Sequence, residues 1–350
     1  MINVKSKAMT SMERVLTALS HKEPDRVPMF LLLTLHGAKE LKMSIKDYFS
    51  NAESVAEGQM IMQKKYNNDC YYPFFYAPLE IEAMGGEVIY VEDGPPNSGR
   101  PFLDKIDKIN SLKIPVIKET EVLQKVLKAI NILNKEAKGE IPIIGVAMSP
   151  FSLPVMQMGF ENYLELMHFH PDMFKKLMQI NEEFCVNWSN AQLEAGATAI
   201  CYFDPVSSPS MIPRDLYKKT GWEVAKSTIS KIAGPTATHY ASGNSLSIAD
   251  MIPDTGTAVV GVSSMEDLGS LKKAFKNKLT VLGNLNGIEM RRWTPQEAKE
   301  IVGDVIKTAA SGGGFILSDN HGEIPYQVTD EILHAISDAV KTFGKYPIQI

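Results

Sequence analysis

Cysteine and long apolar runs are both scarce in this chain of 350 residues. Its only three cysteines, Cys70, Cys185 and Cys201, lie far apart and form no CxxC pair, so their spacing indicates neither a disulfide framework nor a cysteine-only metal site. No apolar run approaches the roughly 20 residues that a membrane-spanning helix needs, and residues 1–7 lack the apolar core of a secretory signal. We therefore expect a cytoplasmic protein with no membrane partner.

An excess of positive charge is also lacking. The 36 lysines and arginines are outnumbered by 41 acidic residues, which gives a formal net charge of −5. A surface that binds nucleic acid needs the opposite balance, so we expect no nucleic-acid partner. Hydrophobic residues make up 44% of the chain and charged residues 22%, a composition typical of a globular protein with a large core.

Eight apolar segments of strand length alternate with helical patterns along the chain. Because right-handed helical crossovers make successive strands parallel, this α/β pattern predicts a (β/α)₈ TIM barrel, with residues 1–350 as a single domain. A doubly wound open sheet is the alternative, but no strand is followed by a GxGxxG turn. We also expect an N-terminal helical extension and a small hairpin or loop excursion near residues 86–100. The predicted strands are 27–33, 69–76, 141–150, 198–204, 235–240, 258–263, 279–284 and 314–318.

Polar side chains follow most of the predicted strands. The carboxyl ends of parallel strands meet on one face, so side chains far apart in the sequence become neighbours there. His239 and His321 each follow an apolar strand, and a neutral imidazole suits either metal binding or proton transfer near neutral pH. We predict catalytic roles for both histidines and for Asp69 and Asp204. The predicted substrate-binding residues are His36, Tyr76, Ser149, Ser207, Asn284, Asn286 and Asn320.

Three of these residues have an alternative interpretation. Asp69 lies at the entry of its predicted strand, whereas the other candidates lie at strand ends. Asp204 precedes Pro205 and could instead form a turn with its own backbone. His36 could be a loop histidine that hydrogen-bonds to backbone.

Several segments resemble the uroporphyrinogen decarboxylase superfamily, and the likeness covers almost the whole chain. Within the superfamily, the chain is most similar to the branch of cobalamin-dependent methyltransferases typified by methylcobalamin:coenzyme M methyltransferases. The order and spacing of the segments together carry the resemblance, since no single one is decisive. They are residues 12–15, 24–28, 82–85, 196–204, 282–284 and 313–325.

The decarboxylase branch resembles this chain at two functional points. Asp69 matches an aspartate of the second strand, and His321-Gly322 matches a histidine-glycine pair after the last strand. The arginine pair that would bind propionate groups falls on residues 34–38 and is absent. Neutral side chains cannot replace the charge-assisted bonds of arginine, so the resemblance disfavours uroporphyrinogen as the substrate.

The methyltransferase branch implies a zinc site built from a His-x-Cys segment and a second cysteine. His239 matches the histidine, Ala241 stands where the first cysteine would be, and His321 stands at or near the second. A catalytic zinc needs three protein ligands, so the third would be Glu323, Asp319 or Asp204, which gives a harder N,N,O site. Alternatively no metal binds, and the two histidines act as acid–base or hydrogen-bonding groups.

The resemblance implies an enzyme that moves a methyl group between a small molecule and a corrinoid. Its cofactors would be zinc, with an altered ligand set, and cobalamin carried by a partner corrinoid protein. A zinc ion with nitrogen and oxygen ligands in place of thiolates would favour removal of a methyl group from an ether or amine. A lyase acting on a carboxylated pyrrole or other acid is the alternative, and an inactive relative that binds a small molecule or cobalamin is a third.

Overall fold

The computed structural model describes residues 8–349, and its centre is a curled, seven-stranded parallel sheet. The strands of this sheet follow the order β1-β9-β8-β7-β6-β5-β4, and every neighbouring pair is parallel. In chain order the nine strands are β1 (Met29–Phe30), β2 (Val88–Ile89), β3 (Asn97–Ser98), β4 (Ile144–Met148), β5 (Ala199–Phe203), β6 (Thr236–His239), β7 (Val259–Gly261), β8 (Thr280–Leu285) and β9 (Phe315–Asp319).

Helices connect the strands and cover the outside of the sheet. The α-helices are α1 (Ser11–Leu19), α2 (His36–Glu40), α3 (Ile45–Tyr48), α4 (Ala52–Tyr66), α5 (Leu79–Ala83), α6 (Glu121–Ala137), α7 (Pro154–Met158), α8 (Phe160–Phe169), α9 (Pro171–Ala195), α10 (Arg214–Lys219), α11 (Gly221–Ile229), α12 (Leu268–Ala274), α13 (Pro295–Ala309) and α14 (Asp330–Phe343). Short 3₁₀ turns occupy Ile106–Ser111, Ile117–Glu119, Leu246–Ile248, Ile252–Thr255 and Glu289–Arg292. No helix within residues 8–349 is long and apolar enough to cross a bilayer.

Seven of the eight predicted strands are confirmed as members of the parallel sheet. The predicted second strand, residues 69–76, is only partly extended. Asp69 donates its N–H to Met29 O at 2.8 Å, and Tyr71 forms a parallel bridge with Ile143, so the segment contacts the chain at both edges of the sheet. The predicted excursion near residues 86–100 is confirmed as the antiparallel pair β2 and β3.

Side chains replace the missing part of the backbone ladder beyond Tyr71. Gln59 of α4 accepts from Tyr72 N at 2.8 Å and donates to Leu33 O at 2.7 Å. On the other side, Gln192 of α9 bonds both backbone groups of Val146. A buried backbone polar group without a partner is costly, so these amides complete the sheet where strand pairing stops. Glu80 accepts from Met148 N, and we call Gln59, Gln192 and Glu80 the side-chain seam.

The N-terminal helix α1 lies across the amino end of the sheet. Thr10 caps it and forms a reciprocal capping box with Glu13. Met12 donates to Glu140 O, just before β4, and Gly314 donates to Ala18 O, just before β9. The predicted N-terminal helical extension is therefore confirmed. The final helix α14 and the short helices α2, α3 and α7 were not expected from the sequence.

Candidate active site

His239 is the last residue of β6 and is completely buried. Its ring stacks on Phe203 of β5, with centroids 5.5 Å apart. Nδ1 accepts a hydrogen bond from Ala241 N at 3.0 Å, which leaves the proton of the neutral ring on Nε2. Nε2 has no partner. Burial, with a smaller contribution from His321, lowers the pKa of His239 to about 4, so the ring is neutral at physiological pH.

Asp319 ends β9 and organises the loop that follows it. Its Oδ2 accepts from the N–H groups of His321 at 2.8 Å and Gly322 at 2.9 Å, while Oδ1 is buried without a partner. Burial raises the pKa of Asp319 to about 6, although these N–H donors act against the rise. Gly322 has φ +85°, and a Cβ there would lie 2.7 Å from the Phe203 ring, so only glycine lets the loop pack this closely.

His321 lies half-buried on this loop, near His239. The amide of Asn320 has its partners satisfied when its nitrogen donates to Leu285 O at 3.0 Å and to His321 Nδ1 at 2.7 Å. Burial lowers the pKa of His321, so this ring is also neutral near pH 7. The two imidazoles are close enough that a charge on His321 would lower the pKa of His239.

Glu323 joins the loop to the segment that follows β1. Thr34 donates a short hydrogen bond to Glu323 Oε1. Desolvation raises the pKa of the Glu323 carboxyl to about 7 against that bond, and the charge of Asp319 adds to the rise. Next along the chain, His36 donates from Nε2 to Val328 O at 3.2 Å, which agrees with its interpretation as a histidine bonded to backbone. Burial, then Lys39, lowers the pKa of His36 to about 4.

Asp204 follows β5 and forms a second buried carboxyl group at the same end of the sheet. Ser149 and Ser152 both donate to its Oδ1, the latter at 2.7 Å. Oδ2 has no partner of good geometry, and neither does the hydroxyl of the neighbouring Ser207. Burial raises the pKa of Asp204 to about 6, and the three serines oppose the rise.

Asp69 lies at the entry of its segment, as the predicted strand bounds place it, and the structure does not bring it together with the other predicted catalytic residues. Its N–H pairs with Met29, the first residue of β1, which places it at the amino end of the sheet. Both carboxylate oxygens are occupied there, by Arg14 at 2.7 Å and Arg26 at 2.6 Å, with Ser11 donating as well. Asp69 therefore acts as a structural ion-pair partner, away from the residues described above.

Three predicted substrate-binding residues are engaged elsewhere. Tyr76 donates to Glu82 at 2.5 Å and packs in an aromatic cluster. Asn286 accepts from two N–H groups of the turn that follows it, each at 3.2 Å. Asn284 lies in β8 and donates to Ser263 O at 3.0 Å. Each of these side chains therefore already has a partner within the protein, and their contact with a substrate stays a prediction.

The tentative metal site is also corrected. Within residues 8–349, no three His, Cys, Asp or Glu side chains converge as ligands of one metal ion would. The proposed ligands have other surroundings, since Glu323 is held by Thr34 and the carboxyl groups of Asp319 and Asp204 are fixed by N–H and O–H donors. The N,N,O zinc set His239, His321 and Glu323 does not fit this geometry.

One buried acid was missed in the sequence. Glu80 of α5 accepts from Met148 N at 2.8 Å, and its second oxygen is buried without a partner. Burial raises the pKa of Glu80 to about 8. Its place in a short helix pattern gave no signal, because the contact depends on where the helix α5 packs against β4.

Proteins of known family resemble this chain in sequence and in structure. Two similar sequences are uroporphyrinogen decarboxylases, from Psychromonas ingrahamii (24% identical, covering 89% of this chain and 91% of that one) and Xylella fastidiosa (25%, 96% and 100%). Among solved structures, a methyltransferase from Methanosarcina mazei matches with a TM-score of 0.84 at 20% identity, covering 96% of this chain and 99% of that one. A B12-independent methionine synthase from a Shewanella species matches with a TM-score of 0.53 at 12% identity, over 92% and 94%.

At these identities the structural matches establish a shared fold. The uroporphyrinogen decarboxylase (URO-D) family matches residues 10–343, which is nearly the whole chain. The chain therefore belongs to the URO-D family.

Proposed function

We propose that this chain is a methyltransferase of the URO-D family that removes a methyl group from oxygen or nitrogen of a small molecule and delivers it to a corrinoid on a partner protein. We also propose that residues 69–72 close the sheet into a single-domain (β/α)₈ barrel. The observation that carries the functional proposal is the set of uncharged imidazoles and protonatable carboxyl groups at the carboxyl end of the sheet.

A methyl donor of this kind needs a proton at its leaving atom. Loss of the methyl group turns an ether into an alkoxide and an amine into an amide anion, and both are poor leaving groups unless an acid protonates them. A general acid works best when its pKa lies near the operating pH. Glu323, with a pKa of about 7, and Asp319, with a pKa of about 6, meet that condition.

The histidines would orient the donor. His239 presents an Nε2–H with no partner inside the protein, so a substrate oxygen or nitrogen could accept that hydrogen bond. Because the pKa of His239 is about 4, the ring donates without becoming charged. His321 has its Nδ1 bonded to Asn320 and would use its other nitrogen in the same way.

The corrinoid would supply the cobalt nucleophile that takes the methyl group. We assign no residue of this chain to it, because it would arrive with its own protein. The proposed reaction does not use zinc, because the histidines and carboxyl groups within residues 8–349 do not converge as ligands of one metal ion would.

The charge distribution disfavours uroporphyrinogen as the substrate. The chain has six arginines, of which Arg14 and Arg26 are bound by aspartates at the amino end. The other four, Arg100, Arg214, Arg291 and Arg292, are exposed. None of the six arginines forms a hydrogen bond with the candidate site residues His239, Asp319, His321 or Glu323 within residues 8–349, whereas an acidic tetrapyrrole needs charge-assisted partners for its carboxylates.

The test is methyl transfer to reduced cobalamin from phenyl methyl ethers and methylated amines, followed by the absorbance change of the cobalt. We expect transfer with the intact chain, a loss of at least about 100-fold in Glu323→Gln and in His321→Ala, and no change in the exposed control His168→Ala. Release of CO₂ from uroporphyrinogen without methyl transfer would favour the lyase. Ligand binding without turnover, unaltered in a His239→Ala, His321→Ala double variant, would favour the inactive relative.

A further inference from the structure

The inside of the curled sheet holds an apolar cavity of about 110 Å³. Its outer part is lined by α1, including Val15, Leu16 and Leu19, and its inner part reaches Tyr72, Cys201 and His239. It thus extends from the amino end of the sheet towards the underside of the candidate active site. None of the residues assigned above to proton transfer lines it.

Small side chains explain why this space is empty. Barrel interiors are usually filled by layers of bulky branched residues. Here Ala199 begins β5, Ala237 lies in β6 and Ala258 precedes β7, and all three line the cavity near the amino ends of neighbouring strands. Ala199 and Ala237 remain half-exposed although they belong to interior strands, because the cavity leaves them uncovered.

The cavity can be reached from the amino end. Leu16 is 55% exposed, and Ala258 and Pro235 are exposed as well, yet all three also line the cavity. The opening is therefore apolar, and it lies on the face opposite the candidate active site. A charged molecule would lose its hydration there with no ion to replace it, whereas an apolar molecule would gain from leaving water.

We propose that this cavity is a binding site for an uncharged apolar molecule or group about the size of one aromatic ring. Apolar cavities of about 150 Å³ bind benzene and stay dry otherwise, and this one is somewhat smaller. The lining is almost wholly apolar, and the ring of His239 at its inner end is completely buried, so the cavity favours a hydrocarbon or a weakly polar ring over a charged one. This inference does not rest on the proposed methyl transfer.

Benzene and phenol titrations followed by calorimetry would test the site. We expect saturable binding of one molecule of benzene or of phenol per chain, with no binding of benzoate. Ala237→Leu fills the cavity and lowers the affinity more than tenfold. Ala233→Leu, an exposed position on the same face that does not line the cavity, is the matched control and leaves the affinity unchanged.

Binding that does not saturate, equal binding of benzoate, or equal affinity in the wild type and Ala237→Leu would overturn the inference. Should Ala237→Leu fail to fold, Ala258→Leu narrows the opening instead, and xenon NMR of the unaltered chain reports the cavity directly. Competition between phenol and a methyl donor would identify the ligand as the apolar part of that donor. Simultaneous binding would identify it as a separate molecule. Methyl transfer enters neither titration, so the two proposals fail independently.

Discussion

Two completely buried aspartates at opposite ends of the same sheet differ in the charge beside them. Asp69, at the amino end, is bound by Arg14 and Arg26 and uses both oxygens. Asp319, at the carboxyl end, accepts only backbone N–H groups and leaves one oxygen without a partner. Asp69 is therefore held in an ion-pair network, whereas burial without a neighbouring cation raises the pKa of Asp319 to about 6.

The same contrast extends to the neighbours of the two aspartates. At the amino end, burial acts to raise the pKa of Asp25, but Arg14 outweighs it and the pKa is lowered. At the carboxyl end no cation opposes burial, and the pKa of Asp204 and Glu323 rises to about 6 and about 7. The ion pairs that stabilise the fold thus lie at the amino end of the sheet, and the protonatable carboxyl groups of the candidate site lie at its carboxyl end.

Removing a cation at the amino end has the largest expected effect. Arg14→Met leaves Asp69 and Asp25 short of a partner, and breaking a buried ion pair in this way costs about 3–5 kcal/mol in the free energy of unfolding. Urea denaturation measures the change. Arg292→Met, which breaks an exposed pair with Glu289, is the control and changes stability by less than about 1 kcal/mol. Equal effects of the two variants would remove the distinction between the ends.

Replacing Asp319 at the carboxyl end by asparagine should leave the fold intact and strongly reduce methyl transfer. In Asp319→Asn, the side-chain oxygen can still accept from His321 and Gly322, so the loop keeps its shape, but the protonatable group is gone. We expect methyl transfer to fall about 100-fold, or about 2.7 kcal/mol in the barrier. Asp338→Asn, on an exposed helix face, is the control. Unchanged activity in Asp319→Asn would show that this carboxyl group takes no part.

The two ends also respond to pH with opposite signs. Folded Glu323 keeps its proton up to about pH 7, whereas the unfolded residue loses it near 4.5, so the folded state binds more protons between these values. The free energy of unfolding therefore falls as pH rises through this window. Glu323→Gln cannot ionise, so its free energy of unfolding should fall by about 1–3 kcal/mol less than that of the wild type. Asp25, whose pKa is lowered, stabilises the fold above its ordinary pKa and loses that contribution in acid.

Denaturation at about pH 5 and about pH 7.5 separates these contributions. The difference in stability between the two pH values should be smaller in Glu323→Gln than in the wild type. Parallel curves for the two proteins would mean that Glu323 is ionised in the folded chain and cannot serve as the acid.

The smallest effect is expected from a single hydroxyl at the carboxyl end. Ser149→Ala removes one of the two donors to Asp204 Oδ1, and the loss of such a hydrogen bond costs about 1–2 kcal/mol in unfolding free energy. Ser247→Ala, an exposed position, is the control. A change within about 0.3 kcal/mol for both would show that Ser152 alone satisfies the carboxyl group.

The sequence predicted the layout of the sheet better than the state of its side chains. Seven of the eight apolar segments predicted as parallel strands are confirmed, and the position of His239 and Asp319 at strand ends followed from those boundaries. Asp69 begins its predicted strand, so the predicted bounds already placed it at the amino end of the sheet, apart from the other candidates. Its partner Arg14 comes from α1, and only the packing of that helix reveals the ion pair.

Ligand convergence and proton affinity were likewise beyond the sequence. The proposed zinc ligands do not converge within residues 8–349, and Glu323 instead bonds Thr34, a contact across almost the full length of the chain. The missed acid Glu80 shows the same limit, since its contact with Met148 depends on packing between distant elements, whereas the apolar spacing of α14 was a local signal that was missed. The hydrophobic pattern of the sequence predicts where a helix or strand forms, but the neighbouring groups in the folded chain determine whether a buried side chain is charged.

The side-chain seam has a consequence for how the sheet opens. In a ladder between two strands, adjacent backbone bonds support one another, but Gln59, Gln192 and Glu80 each hold a backbone group through a single flexible side chain. The amide protons of Tyr72, Val146 and Met148 should therefore exchange with deuterium sooner than those between β8 and β9. We expect transient local opening of the sheet to begin along the side-chain seam, between α4 and α9, where side chains replace strand pairing.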